Sequence, residues 1–305
     1  MAQADTLRRF LFERFPFRGQ LVHLGPAWAA MMEHHDYPPQ VRDSLGEAVV
    51  AAALLSSTLK YDGLLSLQLR GEGPMHLMLV ECTDGLAMRA VARFRDVPDS
   101  RDLRVLSGNG TLTVTVESGN AANRYQGIVP LAGASMSDCL RAYFEHSEQL
   151  PTRLWLRADA DSASGLLLQR LPVTARPLGV TESGAGGVTD EEIEDAWRRV
   201  QLVADTVTAD ELARLEDREL LRRLFAEDDV RMFQSAPVFF RCRCSRERVG
   251  TMLRALGREE VDSVLEEFGQ VEVRCEFCSR AYRFDAVDAA ALFAPGADAH
   301  RGGVH

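Results

Sequence analysis

Four cysteines near the C-terminal end of the sequence have the spacing of metal ligands. Cys242 and Cys244 form a C-x-C pair, Cys275 and Cys278 form a C-x-x-C pair, and thirty residues separate the two pairs. Two pairs of thiols on short turns can supply the four ligands of a tetrahedral zinc ion, with one edge of the tetrahedron from each pair. The sequence therefore predicts one zinc ion as cofactor, with all four cysteines as its ligands.

The C-x-C pair is tighter than the usual two-residue spacer of a zinc ribbon, and it suggests a second kind of chemistry. Two cysteines one residue apart can be oxidised to a small, strained ring. Thiolates held by zinc are already deprotonated and therefore nucleophilic toward oxidants. The site can thus be a redox switch, or a permanently structural zinc that only holds a fold. The cysteines alone leave both alternatives open.

Composition excludes several classes of partner. The formal net charge of -10 and a pI near 5.3 argue against a general surface for nucleic acid or anionic membranes, which would need a basic face. No uncharged apolar run reaches transmembrane length, and the N-terminus lacks a secretory pattern. We therefore expect a cytoplasmic protein whose thiols are reduced at rest. Cys82 and Cys139 stand alone in apolar surroundings and are predicted to be small buried hydrophobes.

The first 175 residues read as one α+β domain. Residues 41–55 carry apolar side chains at helical spacing, which predicts a long core helix. Residues 64–131 contain runs with a period of two, separated by Gly- and Pro-rich turns, which predicts a largely antiparallel sheet with packed helices. His34 and His35 have no ligand cluster near them in the sequence and are predicted to be surface or helix-entry residues.

A connector and an acidic helical region follow this domain. Residues 176–188 lack apolar periodicity and predict a flexible connector. Residues 190–229 contain fourteen acidic and six basic residues, and their narrow apolar stripe includes Ile193 and Trp197. Helices of this kind are marginally stable unless they dock on an apolar surface, so the region is either a conditional element or a solvated spacer. The predicted domains are the α+β core at 1–175, the connector and helical linker at 176–231, a zinc-binding redox-switch domain at 232–293 and a disordered tail at 294–305.

The C-terminal unit is small enough to depend on its metal. About sixty residues bury too little apolar surface for more than a few kcal/mol of stability. Arg241, Arg243, Arg246 and Arg248 surround the first thiol pair and are expected to favour the thiolates electrostatically. They also suggest a contact with nucleic acid, but stacking aromatic residues are missing between these charges and the preceding helices are acidic.

Several sequence strings resemble the 33 kDa chaperonin family, also called heat-shock protein 33. The strings are R-C-R-C-S-R-E-R at 241–248, V-R-C-E-F-C at 273–278, L-R-G-E-G-P at 69–74, M-R-A-V-A-R at 88–93, Y-Q-G-I-V-P-L at 125–131 and Y-F-E-H-S-E-Q-L-P-T at 143–152. The combination is specific, whereas an isolated C-x-x-C is not. Ser279 departs from the glycine that commonly follows the second pair in such knuckles, but no ligand is missing.

The resemblance implies a bacterial cytosolic, ATP-independent holdase and not an enzyme. It implies that the reduced, zinc-bound form is inactive, and that oxidants expel zinc, form disulfides and unfold the linker. The implied disulfides are Cys242 with Cys244 and Cys275 with Cys278. The implied partners are unfolded or partly unfolded client proteins, with a homodimer on activation.

Three other classes of protein would need different properties of the cysteine site. A zinc-ribbon adaptor, or a nucleic-acid-binding module with a structural zinc, would keep its metal under mild peroxide. A thiol oxidoreductase would place its cysteines in a thioredoxin-like βαβ context, which the sequence does not show. A hydrolytic zinc enzyme needs an open coordination position, and four thiolates leave none. No nucleotide-binding glycine loop is recognisable either.

Overall fold

The computed structural model describes residues 4–59, 61–118, 124–131, 133–145, 149–172 and 188–294. The chain divides into two compact units, Met1–Arg241 and Cys242–His305. In chain order the elements are β1 (Thr6–Phe12), β2 (Phe17–Leu24), α1 (Pro26–Met32), α2 (Pro39–Thr58), β3 (Gly63–Arg70), β4 (Met75–Thr83), β5 (Ala87–Phe94), α3 (Leu103–Ser107), β6 (Thr111–Ser118), β7 (Arg124–Pro130), α4 (Met136–Tyr143), β8 (Thr152–Ala158), β9 (Ala163–Arg170), α5 (Asp190–Ala204), α6 (Ala209–Arg214), α7 (Asp217–Leu224), β10 (Val230–Met232), β11 (Ala236–Pro237), β12 (Phe239–Phe240), α8 (Arg246–Leu256), α9 (Arg258–Phe268), β13 (Val271–Arg274), β14 (Ala281–Phe284) and α10 (Ala286–Leu292).

In its described residues the first unit contains two sheets, whereas the sequence predicted one. One has the strand order β10-β1-β2-β9-β8, with β11 also paired to β1, and the other has the order β12-β5-β4-β3-β6-β7. All pairings are antiparallel except that of β12 with β5, which is parallel. The α+β class and the largely antiparallel pairing predicted from the sequence are confirmed.

Helix α2 lies in the core and contacts strands of both sheets. It begins after Pro38 with Pro39 in its first turn, where the missing proline N–H leaves no hydrogen bond unmade. Val49, Val50, Ala51 and Ala52 are all fully buried, although they point to different sides of the helix. A helix that is apolar all round is buried all round. The helix therefore does more than present the one broad apolar face that the sequence predicted.

Helices α5, α6 and α7 cover the other face of the β1-β2-β9-β8 strands. Thr189 and Thr208 begin α5 and α6 with capping boxes. The apolar stripe of these helices packs with sheet residues in one buried cluster, whose members are Phe10, Phe12, Phe17, Leu21, Leu166, Leu168, Ile193, Ala196, Trp197, Val200, Ala204, Leu212, Leu220, Leu221, Leu224 and Phe225. We call this the linker cluster. The predicted connector at 176–188 falls outside the described residues except for Val188.

Residues 230–240 return to the first unit and extend both sheets. Met232 pairs with Phe10 on β1, and Phe239 pairs with Ala87 on β5. The second compact unit consequently begins at Cys242, later than the boundary at 232 expected from the sequence. These strands are only two or three residues long, so they carry no periodic signal of their own.

The second unit has its own small core. Helices α8, α9 and α10 pack with the β13-β14 hairpin around seven buried residues, Val249, Leu253, Val261, Val271, Tyr282, Phe284 and Ala289. Gly257 and Gly269, both at positive φ, end α8 and α9. The predicted tail at 294–305 lies outside the described residues beyond Ala294.

Candidate metal centre

The two cysteine pairs lie on two short segments of the second unit. Cys242 and Cys244 are in the extended segment between β12 and α8. Ser245 caps the start of α8 by accepting a hydrogen bond from the Arg248 backbone N–H. Cys275 and Cys278 are in the turn between β13 and β14. The antiparallel pairing of Arg274 with Ala281 closes this turn and holds the second pair at the tip of the hairpin.

All four sulfurs converge. The Sγ atoms of Cys242, Cys244, Cys275 and Cys278 lie within 4.8 Å of one another. Two distances cross between the pairs, 3.6 Å from Cys242 to Cys275 and 3.5 Å from Cys244 to Cys278. Sulfurs around a tetrahedral zinc are about 3.8 Å apart, given Zn–S bonds of ~2.3 Å. The spacing and chemistry of these donors thus fit a four-thiolate zinc ion.

A backbone turn holds the second pair in place. The Ser279 N–H donates to the Cys275 carbonyl over 2.7 Å, and the Cys275 N–H donates to the Arg280 carbonyl over 3.0 Å. Ser279 has φ of 53°, in the left-handed region that favours glycine. Serine in place of the common glycine therefore leaves the turn intact, but the serine adopts a backbone conformation that costs free energy.

Tyr282 supports the site from outside the ligand set. Its hydroxyl donates to the Cys244 sulfur over 3.1 Å. Partial burial raises the pKa of the Cys244 thiol, but the hydrogen bonds from Tyr282 and the neighbouring thiols outweigh it and lower the pKa to about 7. The sequence did not predict a role for Tyr282 at the site. Its position four residues after Cys278, on the strand leaving the turn, is the signal that could have identified it.

Cys275 and Cys278 have thiol pKa values shifted in the opposite direction. Burial and then the proximity of Cys242 raise the pKa of Cys275. Burial and then the proximity of Cys244 and Cys242 raise the pKa of Cys278. The four sulfurs therefore cannot all carry a negative charge side by side without a compensating cation, which is the role of a bound metal.

The arginines beside the first pair have other partners. Arg246 pairs with Asp288 over 2.6 Å and lies 4.2 Å from the centre of the Phe284 ring. Arg248 donates to the Arg243 carbonyl over 2.9 Å. The main group that lowers the pKa of Cys244 is thus Tyr282, whereas the sequence had suggested these arginines.

The other two cysteines and the two adjacent histidines belong to the first unit. Cys82 and Cys139 are both fully buried, as predicted. Burial raises the pKa of Cys82 to about 12, so this thiol is protonated and unreactive. His34 is an exposed side chain beside Glu33, and His35 stacks on Tyr37 with ring centres 4.9 Å apart.

Comparison with known proteins gives a consistent result. Residues 5–285 match the family model described as Hsp33 protein. The chain belongs to the Hsp33 family. It is similar to the 33 kDa chaperonin of Methylobacillus flagellatus, with 42% identity over 96% of each chain. It is also similar to that of Nitrosococcus oceani, with 46% identity over 96% of each chain.

A solved structure shows the same fold. The crystal structure of the 33 kDa chaperonin from Thermotoga maritima matches with a TM-score of 0.76 and 20% identity, covering 94% of this chain and 97% of that one. Membership of the Hsp33 family supports a chaperone function for this chain. Within its described residues, this Hsp33 protein has no helix that is long and apolar enough to cross a membrane.

Proposed function

We propose that this protein is a redox-regulated, ATP-independent holdase, inactive when reduced and zinc-bound, and active in binding unfolding proteins after oxidation. The observation that carries the proposal is the convergence of the four sulfurs within 4.8 Å in a unit whose own core is small. A site of this kind couples the oxidation state of the thiols to the folding of the unit.

Cys242, Cys244, Cys275 and Cys278 would hold the zinc ion. When bound, zinc supplies the positive charge that keeps four thiolates together, and in small domains it contributes ~10 to 16 kcal/mol of folding free energy. The second unit's core is expected to supply only about 3 to 5 kcal/mol. The unit therefore requires its thiolates as ligands in order to stay folded.

Oxidation removes those ligands in two balanced steps. A peroxide oxidises one thiolate to a sulfenic acid and is itself reduced to hydroxide. A neighbouring thiol then attacks the sulfenic sulfur, forming a disulfide and releasing water. The resemblance to the Hsp33 family implies that the disulfides join Cys242 with Cys244 and Cys275 with Cys278, and two peroxides are then consumed per molecule. Cysteines in disulfides no longer bind zinc, so the ion is released.

The chain itself provides a route from the metal centre to the linker helices. Only Arg241 separates β12 from Cys242, and its N–H donates to the Met88 carbonyl over 2.9 Å. Unfolding from Cys242 onward would leave this short segment with no folded structure after it, and the segment continues through β10–β12 to α7. The linker helices are densely charged outside their buried stripe, so they depend on docking for stability.

Release of the linker helices would expose a large apolar surface. Trp197 lies 5.1 Å from Phe17 and Phe225 lies 5.1 Å from Phe12, measured between ring centres. Separation exposes both the aromatic face of the sheet and the apolar stripe of the helices. Exposed apolar surface of this size binds unfolding clients and favours self-association, which agrees with a homodimer in the active state.

The protein acts in the cytoplasm during oxidative stress, on unfolded or partly unfolded client proteins. It is not an enzyme, because four thiolate ligands leave zinc no open position for substrate. The alternative, an adaptor or nucleic-acid-binding module with a structural zinc, is less well supported because Arg246 and Arg248 are engaged within the second unit.

The proposal is tested by the aggregation of a thermally unfolding client protein. We expect the oxidised, zinc-free protein to suppress light scattering at a stoichiometric ratio and the reduced, zinc-loaded protein to leave it unchanged. Re-reduction in the presence of zinc should abolish the suppression. Equal activity of both forms would contradict redox regulation.

A further inference from the structure

A pocket in the first unit lies where α2 ends above β1 and β2. Its volume is about 250 Å³, and residues of β1, β2, the end of α2 and the segment after β10 line it. Leu11 and Phe233 provide apolar surface, and Phe233 is 38% exposed. All lining residues belong to the first unit, so the pocket is separate from the cysteine centre.

Two arginines give this pocket an unbalanced positive charge. Arg9 and Arg18 both line it, on the same face of β1 and β2. In the described part of the chain, neither has a carboxylate within ion-pair distance, whereas the adjacent Arg8 pairs with Asp217. Arg18 donates from Nε and Nη2 to the neutral Gln169 Oε1, with the Nε contact at 2.8 Å, so its charge stays uncompensated. Burial, and then the charge of Arg9, lower the pKa of Arg18. An anion in the pocket would relieve this repulsion.

Two buried polar atoms in the same pocket lack partners. Gln20 is 1% exposed, and within the described residues its Oε1 atom has no hydrogen-bond partner. The same holds for the buried hydroxyl of Ser57 at the end of α2. Buried polar groups are nearly always hydrogen-bonded, and an unpartnered carbonyl oxygen in a pocket is an acceptor for a ligand donor.

These features together define a ligand with two adjoining groups. The arginines require an oxyanion, and the Gln20 oxygen requires an N–H or O–H donor close to it. A fully ionised phosphate has acceptors only and would leave the Gln20 oxygen opposed by negative charge. A carboxylate with an N–H on the adjacent carbon satisfies both groups, and Leu11 and Phe233 can contact its side chain.

We propose that this pocket binds the carboxylate and neighbouring N–H of an N-acyl amino acid, the chemistry found at the C-terminus of a polypeptide. Arg9 and Arg18 hold the carboxylate, Ser57 donates its hydroxyl to it, and Gln20 accepts from the N–H. The same chemistry occurs in free N-acyl amino acids, so the source of the ligand is decided by experiment.

The test is calorimetric titration of the full-length, reduced, zinc-loaded protein with N-acetyl-leucine. N-acetyl-leucinamide, which keeps the N–H and the side chain but lacks the carboxylate, is the matched control ligand. We expect the acid to bind at least about tenfold more tightly than the amide, because hydrogen bonds from the arginines to a charged carboxylate are stronger than those to a neutral amide. Equal binding of acid and amide, absence of binding, or displacement of the acid by an equal concentration of inorganic phosphate would overturn the proposal.

Two further arms identify the source and the residues. An eight-residue peptide with a free C-terminal leucine that binds as well as N-acetyl-leucine points to polypeptide termini, and weaker peptide binding points to the free acid; both support the pocket's chemistry. Arg18→Gln and the exposed Arg9→Gln should each weaken binding about tenfold or more. Arg70→Gln, an exposed arginine on β3 outside the pocket, should not change it. Unchanged binding in folded Arg9→Gln protein would contradict the assignment.

Discussion

The Tyr282 hydroxyl donates a hydrogen bond to the Cys244 sulfur over 3.1 Å. This contact joins β14 to the segment that carries the first cysteine pair, so the hairpin both provides two ligands and orients a third. Groups that hydrogen-bond to metal ligands fix their orientation, and losing such a group typically weakens metal binding about 10- to 100-fold.

Tyr282→Phe should therefore lower zinc affinity by about tenfold while leaving the fold intact. The phenyl ring keeps the buried packing of Tyr282 and removes only the hydroxyl. Competition with a chromogenic chelator measures the change. Tyr125→Phe, which alters a tyrosine in the first unit, is the control and should leave zinc affinity unchanged.

Ser279→Gly should stabilise the zinc-bound second unit. Ser279 has φ of 53°, a conformation that glycine adopts without steric cost, so the substitution should raise stability by up to about 1 kcal/mol. Ser263→Gly, the same change within helix α9, should instead destabilise by about 0.5 kcal/mol. Thermal unfolding of both variants measures whether each substitution raises or lowers stability. Destabilisation by both substitutions would contradict the account of the turn.

Asp217 links the linker helices to the sheet and gives a pH-dependent prediction. Its carboxylate pairs with Arg8 and lies 3.1 Å from His23 Nε2. Burial raises the pKa of Asp217, but His23 and Arg8 outweigh it and hold the pKa below the usual 3.8. A depressed pKa means that the ionised carboxylate stabilises the folded state above about pH 4, and that this contribution is lost as pH falls through the folded pKa.

Asp217→Asn should accordingly loosen α7 at neutral pH by about 1 to 3 kcal/mol, and the difference from the unaltered protein should shrink below pH 4. Hydrogen exchange of the α5–α7 amides, followed from pH 7 to 3, measures it. Asp210→Asn, whose carboxylate is exposed, should change exchange little. A difference that grows on acidification would show that the sign is wrong.

Trp197→Ala tests whether the linker cluster covers the client-binding surface. Trp197 is 4% exposed and packs on Phe17, and truncating a buried tryptophan typically costs about 3 to 5 kcal/mol. We expect the reduced variant to retain zinc, bind an apolar dye and suppress client aggregation without oxidation. Leu202→Ala removes a side chain on the same helix that is 63% exposed, and it should remain inactive when reduced.

Dye binding by Trp197→Ala without suppression of aggregation would place the client surface elsewhere. Loss of zinc from this variant, measured in parallel, would show that the linker cluster and the metal centre are coupled in both directions.

The sequence allowed the prediction of features that repeat or cluster locally. The cysteine spacing predicted the convergence of sulfurs, and helical spacing predicted the buried stripe of Ile193, Trp197, Val200 and Ala204. The stripe involves residues close together in the chain, and the cysteine site uses four ligands of one type. A local sequence pattern is therefore enough to predict each of them.

The sequence did not predict features that depend on contacts between residues far apart in the chain. The return of Met232 to Phe10 and of Phe239 to Ala87 involves strands too short for a periodic pattern, which is why the second unit begins at Cys242. The ion pair of Arg8 with Asp217 joins residues more than two hundred positions apart, and no local pattern distinguishes either from other surface charges.

The most direct test of the central claim follows zinc release, free thiols and holdase activity together during titration with peroxide. A chromogenic chelator reports zinc, thiol titration reports the cysteines and client light scattering reports activity. The account predicts that two disulfides form for each zinc released and that activity rises only as zinc leaves. Full activity with zinc retained, or complete zinc release with no gain of activity, would contradict it.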